Sequence, residues 1–395
     1  MDIEKIIKEY DLEKKIISIR RQIHANPDLS EHEENTMSFV SKCLDEWGIE
    51  YKTGFAKTGI VAIIKGQKDG KVIALRGDMD ALPIDEETGL EFASQKSGVM
   101  HACGHDAHIS ILLIVAFILK QIDVELKGSV KFFFQPAEET IGGAKRMIED
   151  GCMENPEVDY VLGLHVEPAY DTGKVGIRYG KMYASSDMID VTITGKGAHG
   201  AHPNEGIDAI IVATNVLNTI QTVVSRNVSP LDSVVCTFGM INGGTVRNQI
   251  ADHVRMEGII RTLDVESRVK VREKVGKICK NISEAMDANI EYKVMESYGP
   301  LINNDQVTGV IEKNAIETLG KENVILEKEP DLSCEDFSYF ALKKPACYFH
   351  LGCYAEKNGP RVDLHHPKFT IDENCLMTGV KLQIKNVITL LNEGV

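Results

Sequence analysis

Three histidines, a cysteine and an aspartate lie within the segment Met100–His108, directly before an apolar run that ends at Leu119. Thiolate and imidazole ligands together suit zinc, cobalt, nickel or iron better than magnesium or calcium. A closed zinc finger would need cysteine pairs nearby, and the chain contains no Cys-x-x-Cys. The segment therefore predicts part of an open, catalytic metal site whose other ligands come from elsewhere in the chain.

Cys103 and His105 are the residues of this segment that best fit a pair of metals. They stand two positions apart, so in an extended loop their side chains point the same way. A thiolate sulfur can also bridge two metal ions. A free cysteine is usually an ordinary buried apolar residue, but the flanking histidines favour the ligand interpretation for Cys103.

A pair of adjacent glutamates, Glu138 and Glu139, follows an apolar run and Pro136. Adjacent side chains at a strand end diverge, so one carboxylate can bind metal while the other faces the substrate. A metal lowers the pKa of its water towards ~7, and a glutamate can take the proton and pass it to a leaving amine. Glu-Glu is common on protein surfaces, so the position after a strand is what favours catalysis.

Other histidines are ambiguous when taken one at a time. His165 follows an apolar run and could equally be a hydrogen-bonded core residue, and the pair His365-His366 carries the same ambiguity. The full set of potential ligands is Cys103, His105, Glu139, His165 and His366. Such a set is enough for two metals with open positions.

A glycine-rich loop, Gly195–Pro203, contains His199 and a second histidine. Glycine lets a backbone approach a ligand closely, and a histidine there could donate to a developing oxyanion. A turn with exposed histidines is an equally fair interpretation. Further on, Asn248 and Arg261 are polar candidates; Arg261 could hold a carboxylate with two hydrogen bonds, although a surface salt bridge is the usual role.

Composition limits the class of protein. The chain has 395 residues, 43% of them hydrophobic and 26% charged, with a net charge of -15, which argues against a nucleic-acid partner. The longest apolar run is too short to span a bilayer, and the N-terminus does not resemble a signal peptide. Nine scattered cysteines fit reduced thiols in a cytoplasm. We therefore expect a cytoplasmic protein without a membrane partner.

Predicted strands alternate with predicted helices, which favours an α/β fold with helices on both faces of a sheet. The runs Lys71–Leu75, Ser129–Phe134 and Tyr160–Leu164 are three such strands. The polar residues that follow them are Asp78 and Asp80, Glu138 and Glu139, and His165. Because ligands collect outside the carboxyl ends of strands in such sheets, one shared site is predicted there.

The middle of the chain changes character. Residues 184–296 show a β-α-β-β-α-β order, which is the ferredoxin-like α+β unit and can fold as its own domain. We predict that it is inserted between two parts of the α/β domain, residues 1–183 and 297–395.

Four long blocks carry a resemblance to known proteins. They are Leu75–Pro83, Met100–Asp106, Phe134–Glu139 and His365–Phe369. In this order they resemble the aminoacylase/carboxypeptidase metallohydrolase family, and more narrowly its branch of hippurate hydrolases, auxin-conjugate amidohydrolases and N-acetyl-diaminopimelate deacetylases. Segments 20–27 and 333–338 match as well, so the resemblance covers essentially the whole chain.

This resemblance implies a metallopeptidase-like catalytic domain with a mixed sheet and a two-metal site, together with a smaller lid domain that forms dimer contacts in many relatives. The implied ligands are Cys103, His105, Glu139, His165 and His366. Glu138 would be the general base. The two divalent ions could be zinc, manganese, cobalt or nickel.

In the lid, the resemblance implies that His199 stabilises the tetrahedral intermediate, sometimes from the partner subunit, and that Asn248 and Arg261 contact the substrate carboxylate. One departure matters: the wider family's His-x-Asp metal motif is Asp78-Met79-Asp80 here. Cys103 would supply the missing ligand. Asp80 and Asp106 would then support ligands without binding metal, and Asp78 is not expected to be a ligand.

The function expected from these residues is hydrolysis of the amide bond of an N-acyl-L-amino acid, with an acetyl, benzoyl or similar acyl group. A dipeptidase or carboxypeptidase would use the same chemistry on a short peptide. A metal-binding or ligand-binding protein without catalysis is the third hypothesis, which the intact base and ligand set disfavour.

Overall fold

The computed structural model describes residues 3–395 and divides them into two compact units. The larger unit contains the described residues up to Gly180 together with Ile302–Lys328 and Asp336–Val395. The smaller unit contains Lys181–Leu301 and Glu329–Glu335. The predicted insertion 184–296 lies inside the smaller unit, whose bounds fall three to five residues further out.

Helices and strands alternate along most of the chain. The helices are α1 (Ile3–Glu9), α2 (Leu12–Ala25), α3 (Glu34–Glu46), α4 (His105–Gln121), α5 (Gly143–Glu149), α6 (Ala209–Thr222), α7 (Val265–Ala285), α8 (Asp305–Leu319), α9 (Ser338–Ala341) and α10 (Cys375–Glu393). The strands are β1 (Glu50–Phe55), β2 (Gly59–Lys65), β3 (Lys68–Asp78), β4 (Lys127–Gln135), β5 (Tyr160–Asp171), β6 (Val175–Ile177), β7 (Gly180–Tyr183), β8 (Asp187–Thr194), β9 (Ala198–His199), β10 (Val234–Gly243), β11 (Gln249–Ile250), β12 (His253–Thr262), β13 (Asn289–Glu296), β14 (Leu301–Asn303), β15 (Val324–Leu326) and β16 (Ala346–Tyr354).

An eight-stranded mixed sheet forms the centre of the larger unit, in the order β1-β2-β4-β3-β5-β16-β6-β15. Strand β3 runs parallel to both β4 and β5, whereas β2 is antiparallel to β4. The second half of β3 is buried at every position and its segment 72–75 is apolar throughout, which is the pattern of a parallel strand covered on both faces. The predicted α/β class with a mixed sheet is confirmed.

The apolar run after the histidine-rich segment forms α4, whose first fifteen residues are all buried. A helix that is apolar all round must lie inside a core, and α4 packs between the sheet and the helices α2 and α10. None of the helices among residues 3–395 is long and apolar enough to cross a membrane.

Two local features of the elements have clear causes. The first helical segment is divided into two helices, because Asp11 takes a left-handed conformation with φ 47° between α1 and α2. The strand predicted over Tyr160–Leu164 continues to Asp171, since β16 pairs with β5 along this stretch. His165 therefore lies within a strand.

In the smaller unit, the order β8-α6-β10-β12-α7-β13 is the β-α-β-β-α-β order expected from sequence. Its four long strands form an antiparallel sheet in the order β10-β12-β8-β13, which is the ferredoxin-like arrangement. Both helices begin at a capping aspartate, because Asp208 accepts two backbone N–H groups of α6 and Asp264 accepts two of α7.

Candidate metal centre

Sheet register brings the carboxyl ends of the central strands together. Asp78 at the end of β3 pairs with Gln135 at the end of β4, and Arg76 pairs with Gly163 of β5. Glu138 belongs to the loop that follows β4, so it lies at the same edge of the sheet. As expected for parallel strands, candidate ligands from distant parts of the chain converge there.

Cys103 and His105 reach this edge by a turn, in contrast to the extended loop expected from sequence. Gly104 between them has φ 83°, and His105 is the first residue of α4. A Cβ atom at position 104 would lie only 2.3 Å from Cγ2 of Val166. Glycine is therefore required both by the left-handed backbone and by the close approach of β5.

The metal-binding atoms lie close together. The Cys103 Sγ atom lies 3.4 Å from Nε2 of His165 and 3.3 Å from Nε2 of His365. The Oε1 atom of Glu139 lies 3.2 Å from Nε2 of His365 and 3.9 Å from Nε2 of His105. Overlapping groups of three donors fall within 4.8 Å of one another, so the cluster offers positions for two ions.

His365 occupies the position predicted for His366. The imidazole of His365 contacts both Cys103 and Glu139, whereas His366 is exposed and its Nδ1 accepts the backbone N–H of Lys368 at 3.1 Å. The reason is the backbone, because His365 has φ 63° and this left-handed turn directs the first histidine of the pair to the cluster. The structure corrects the sequence prediction at this position.

The ring of His105 fits a metal ligand in its hydrogen bonding. Its Nδ1–H donates to the backbone carbonyl of Asp80 at 2.8 Å, and its buried Nε2 has no hydrogen-bond partner among the described residues. Ligand histidines usually donate their other ring N–H to a carbonyl or carboxylate in this way. The unsatisfied nitrogen points into the cluster and supports a metal there.

Electrostatics in the cluster also favour a cation. Burial lowers the pKa of His105, but Asp78, Asp80 and Glu139 raise it to about 10, so a positive charge at this ring is stabilised. Burial and the neighbouring Glu139 raise the pKa of the Cys103 thiol well above its ordinary value. A divalent ion would supply the positive charge that stabilises the thiolate.

Glu138 and Glu139 are held by Asp80 through their backbones. The two carboxylate oxygens of Asp80 accept the N–H groups of Glu138 at 3.1 Å and Glu139 at 3.0 Å. Ala137 before them has φ 55°, and its N–H donates to buried Glu33 at 2.9 Å. A left-handed alanine is strained, and such strain persists only where the surroundings fix it. The turn thus sets the direction of both glutamates.

Asp106 lies outside the donor cluster and supports the start of α4. Its Oδ2 accepts from Nε of Arg20 at 2.7 Å and from Nδ1 of His24 at 2.8 Å. Burial raises the pKa of Asp106, but Arg20 and His24 hold it well below its usual range. Sequence reasoning missed both partners, although they belong to a segment that matched the family pattern.

The smaller unit brings His199 and Asn248 together. Strand β9 pairs with β11, so His199 lies opposite Gln249, and Gly200 donates its N–H to the carbonyl of Asn248 at 2.8 Å. The Nδ1 atom of His199 accepts the N–H of Ala201 at 3.1 Å. The proton of the neutral ring is therefore on Nε2, where it is available to an acceptor.

Arg261 lies on β12 of the same unit, opposite Val235 of β10. Its Nη1 atom is buried and has no hydrogen-bond partner among residues 3–395. A guanidinium group with an unsatisfied donor is suited to bind an anion, which is compatible with the predicted contact to a carboxylate.

Comparison with known proteins identifies the family. The model of the Peptidase family M20/M25/M40 matches residues 74–387. The chain belongs to this family. The resemblance predicted from the sequence blocks is thereby confirmed.

Similar members of the family include amide hydrolases. An N-acetyl-L-cysteine deacetylase of Bacillus subtilis (strain 168) is 42% identical over 366 residues, which cover 93% of this chain and 86% of that protein. The hippurate hydrolase of Campylobacter jejuni subsp. jejuni is 36% identical over 381 residues, covering 96% of this chain and 98% of that protein.

A solved structure from the same family has a closely similar fold. It is that of a Bacillus subtilis protein described as a dinuclear metal-binding peptidase from the M20 family, with a TM-score of 0.83 and 32% identity. The match covers 97% of this chain and 99% of that one.

Proposed function

We propose that this M20 chain is a metal-dependent amidohydrolase that cleaves the amide bond of N-acyl-L-amino acids. The observation that carries the proposal is the position of Glu138, which is fixed by Asp80 beside a cluster of thiol, imidazole and carboxylate donors. The deacetylase and hippurate hydrolase among its relatives are named for this class of substrate.

The ligands proposed for two divalent ions are Cys103, His105, Glu139, His165 and His365. Zinc, manganese, cobalt and nickel all suit this mixture of donors. When bound, such ions lower the pKa of water and polarise an amide carbonyl. The protein would retain the ions through the negative charge of its carboxylates, the burial of the donor cluster and the fixed orientation of its imidazole rings.

Glu138 is proposed as the general base. Only 8% of the residue is exposed, so water around its carboxylate is restricted, and Asp80 fixes its backbone. The carboxylate takes a proton from the attacking water and passes it to the leaving nitrogen, so one residue serves both halves of the hydrolysis. The products are a carboxylate and a free amino acid.

The smaller unit is proposed to contribute to the transition state and to substrate binding. His199 presents an Nε2–H donor that can stabilise the developing oxyanion. Arg261 and Asn248 are proposed to bind the carboxylate of the amino acid, for which a guanidinium group offers two parallel N–H donors.

We also propose that two copies of the chain associate through the smaller unit. Strand β10 is at an edge of its sheet, and Met240 and Ile241 on it are 51% and 56% exposed. Ile210 and Ile211 at the start of α6 are about as exposed. An exposed edge strand with apolar side chains can pair with the same strand of a second copy.

Sedimentation equilibrium tests this association. The parent protein should be a dimer, and Ile241→Lys should weaken the dimer. A monomeric parent protein would contradict this proposal.

A substrate panel tests the function. Acetyl-, benzoyl- and aminoacyl-substituted amino acids, with acetyl-diaminopimelate and hippurate included, should be assayed with zinc, manganese, cobalt and nickel. We expect turnover of acyl amino acids. Turnover of the aminoacyl compounds alone would indicate a dipeptidase, and no turnover with metal bound would indicate a binding protein.

The same assay tests the base. Glu138→Gln keeps the size of the side chain and removes its basicity, so kcat should fall by about 10²- to 10⁴-fold while elemental analysis shows unchanged metal content. Near-normal turnover would exclude Glu138 as the base.

A further inference from the structure

A second group of buried polar residues lies beside the donor cluster, at the end of β3. The side chains of Arg76 and Asp78 are fully buried and form an ion pair. His108 of α4 can reach Asp78 because Gly77 leaves room for the helix; a Cβ atom at position 77 would lie 3.3 Å from the carbonyl oxygen of His108. Close packing of helix against strand thus brings these residues together.

Hydrogen bonds fix the tautomer of His108. Its Nε2 accepts the backbone N–H of Val166 at 2.9 Å, so the ring carries its proton on Nδ1. That Nδ1–H donates to Oδ1 of Asp78 at 2.6 Å, while Oδ2 of Asp78 accepts from Arg76. The ring is therefore held at both ends, by a side chain from β3 and by the backbone of β5.

His108 also packs against two proposed metal ligands. Its ring centroid lies 4.6 Å from that of His165, at an interplanar angle of 68°, and 5.5 Å from that of His105. The carbonyl of Val166, whose N–H binds His108, accepts the Nδ1–H of His165 at 2.7 Å. His165 therefore keeps its Nε2 unprotonated, facing the sulfur of Cys103.

We infer that Asp78 and His108 are positioning residues for the metal centre: Asp78 holds His108 in its Nδ1-protonated form, and His108 holds the backbone of Val166 so that His165 offers its Nε2 lone pair to metal. The inference rests on the ligand set proposed above. Partners that orient ligand histidines typically contribute 10- to 100-fold in metal affinity.

Direct coordination by Asp78 is the competing explanation. The Oδ2 atom of Asp78 lies 3.7 Å from Nε2 of His105. Asp78, His105 and His108 also form one of the groups of three donors that could hold a metal ion. Both oxygens of Asp78 are already bonded, one to Arg76 and one to His108, and both nitrogens of His108 are occupied. These bonds favour the positioning role.

The test measures metal binding and needs no turnover. For His108→Ala, competition with a chelator should show zinc affinity lowered by about 10- to 100-fold. The visible spectrum of the cobalt-loaded protein should also shift, because the ring of His165 is no longer held. His108→Gln can still accept the N–H of Val166 through its amide oxygen, so it should recover part of the affinity. A purely structural loss would not be rescued in this way.

Asp187→Asn is the matched control. Asp187 is also buried and accepts from Arg268 at 2.9 Å and 2.6 Å, so this variant weakens a buried carboxylate–guanidinium pair that belongs to the smaller unit and to none of the donor groups. It should lower the melting temperature but leave zinc affinity and the cobalt spectrum unchanged.

Three outcomes would overturn the inference, and they can be told apart. Parent-like affinity and spectrum in His108→Ala, with metal lost in Cys103→Ala, would remove the positioning role alone. Loss of a whole metal equivalent in Asp78→Asn, with His108→Ala unchanged, would make Asp78 a ligand. Retention of both ions in Cys103→Ala would contradict the proposed ligand set itself.

Discussion

Several candidate site residues of the two units lie in different surroundings. In the larger unit, Cys103, His105 and His165 are almost fully buried, and each ring or thiol contacts another member of the cluster. In the smaller unit, His199 and Asn248 are exposed and are placed by a two-residue strand pair. One region is fixed by side-chain packing and the other by backbone hydrogen bonds.

This difference fits the roles proposed for the two regions. A metal ion is retained by several ligands whose rings are already oriented and shielded from water. Groups that meet a substrate must stay accessible until it arrives. Substitutions of the ligands proposed in the first region should therefore change metal content, while substitutions in the second should change turnover and leave the metals in place.

The largest effect is expected for Cys103→Ala, which removes the thiol shared by His165 and His365. At least one metal equivalent should be lost in elemental analysis, and kcat should fall by about 10³-fold, corresponding to the several kcal/mol that a metal contributes. Cys347→Ala is a matched control, because Cys347 is an equally buried free thiol on β16. Equal metal content in both variants would exclude Cys103 as a ligand.

A pair of variants at adjacent histidines tests the corrected ligand. His365→Ala should weaken binding of one metal and lower activity by at least about 100-fold at limiting metal. His366→Ala should behave like the parent protein, because His365 is the one of these two histidines that contacts Glu139. Metal titration followed by activity at each ratio measures this. The opposite ranking of the two variants would restore the prediction made from sequence.

His199→Ala tests the exposed region. Removing one donor to the oxyanion should lower kcat by about 10²- to 10³-fold, with both metal equivalents retained. His202→Ala is the control, because its ring lies in the same loop, 5.5 Å from that of His199. If His199→Ala lost metal as well, the separation between the two regions would fail.

The smallest effect is expected for Arg261→Lys, which keeps the charge but loses the planar pair of donors. KM for an acyl amino acid should rise about tenfold with little change in kcat, since binding of the carboxylate is lost equally in ground and transition states. Arg255→Lys is the control, because Arg255 on the same strand is exposed and pairs with Asp190. Similar KM values for both variants would remove Arg261 from the substrate site.

Much of the architecture could be predicted because its signals are local. The apolar strands β2, β3 and β4, each followed by polar residues, and the alternation within 184–296 depend on patterns a few residues long. The same holds for the motifs around Cys103 and Glu138, which carried the family resemblance. Fold class and family were therefore correct from the amino-acid sequence.

Tertiary structure alone decided which of two adjacent histidines reaches the cluster, because the left-handed backbone of His365 depends on its surroundings. It also decided that Asp78 is bonded to His108, thirty positions away, and Asp106 to Arg20, eighty-six positions away. Sheet register and helix packing create such contacts, and neither is encoded in the spacing of neighbouring residues. The sequence by itself determined which residue types were available for a metal site, and the packed sheet decided which of them lie together.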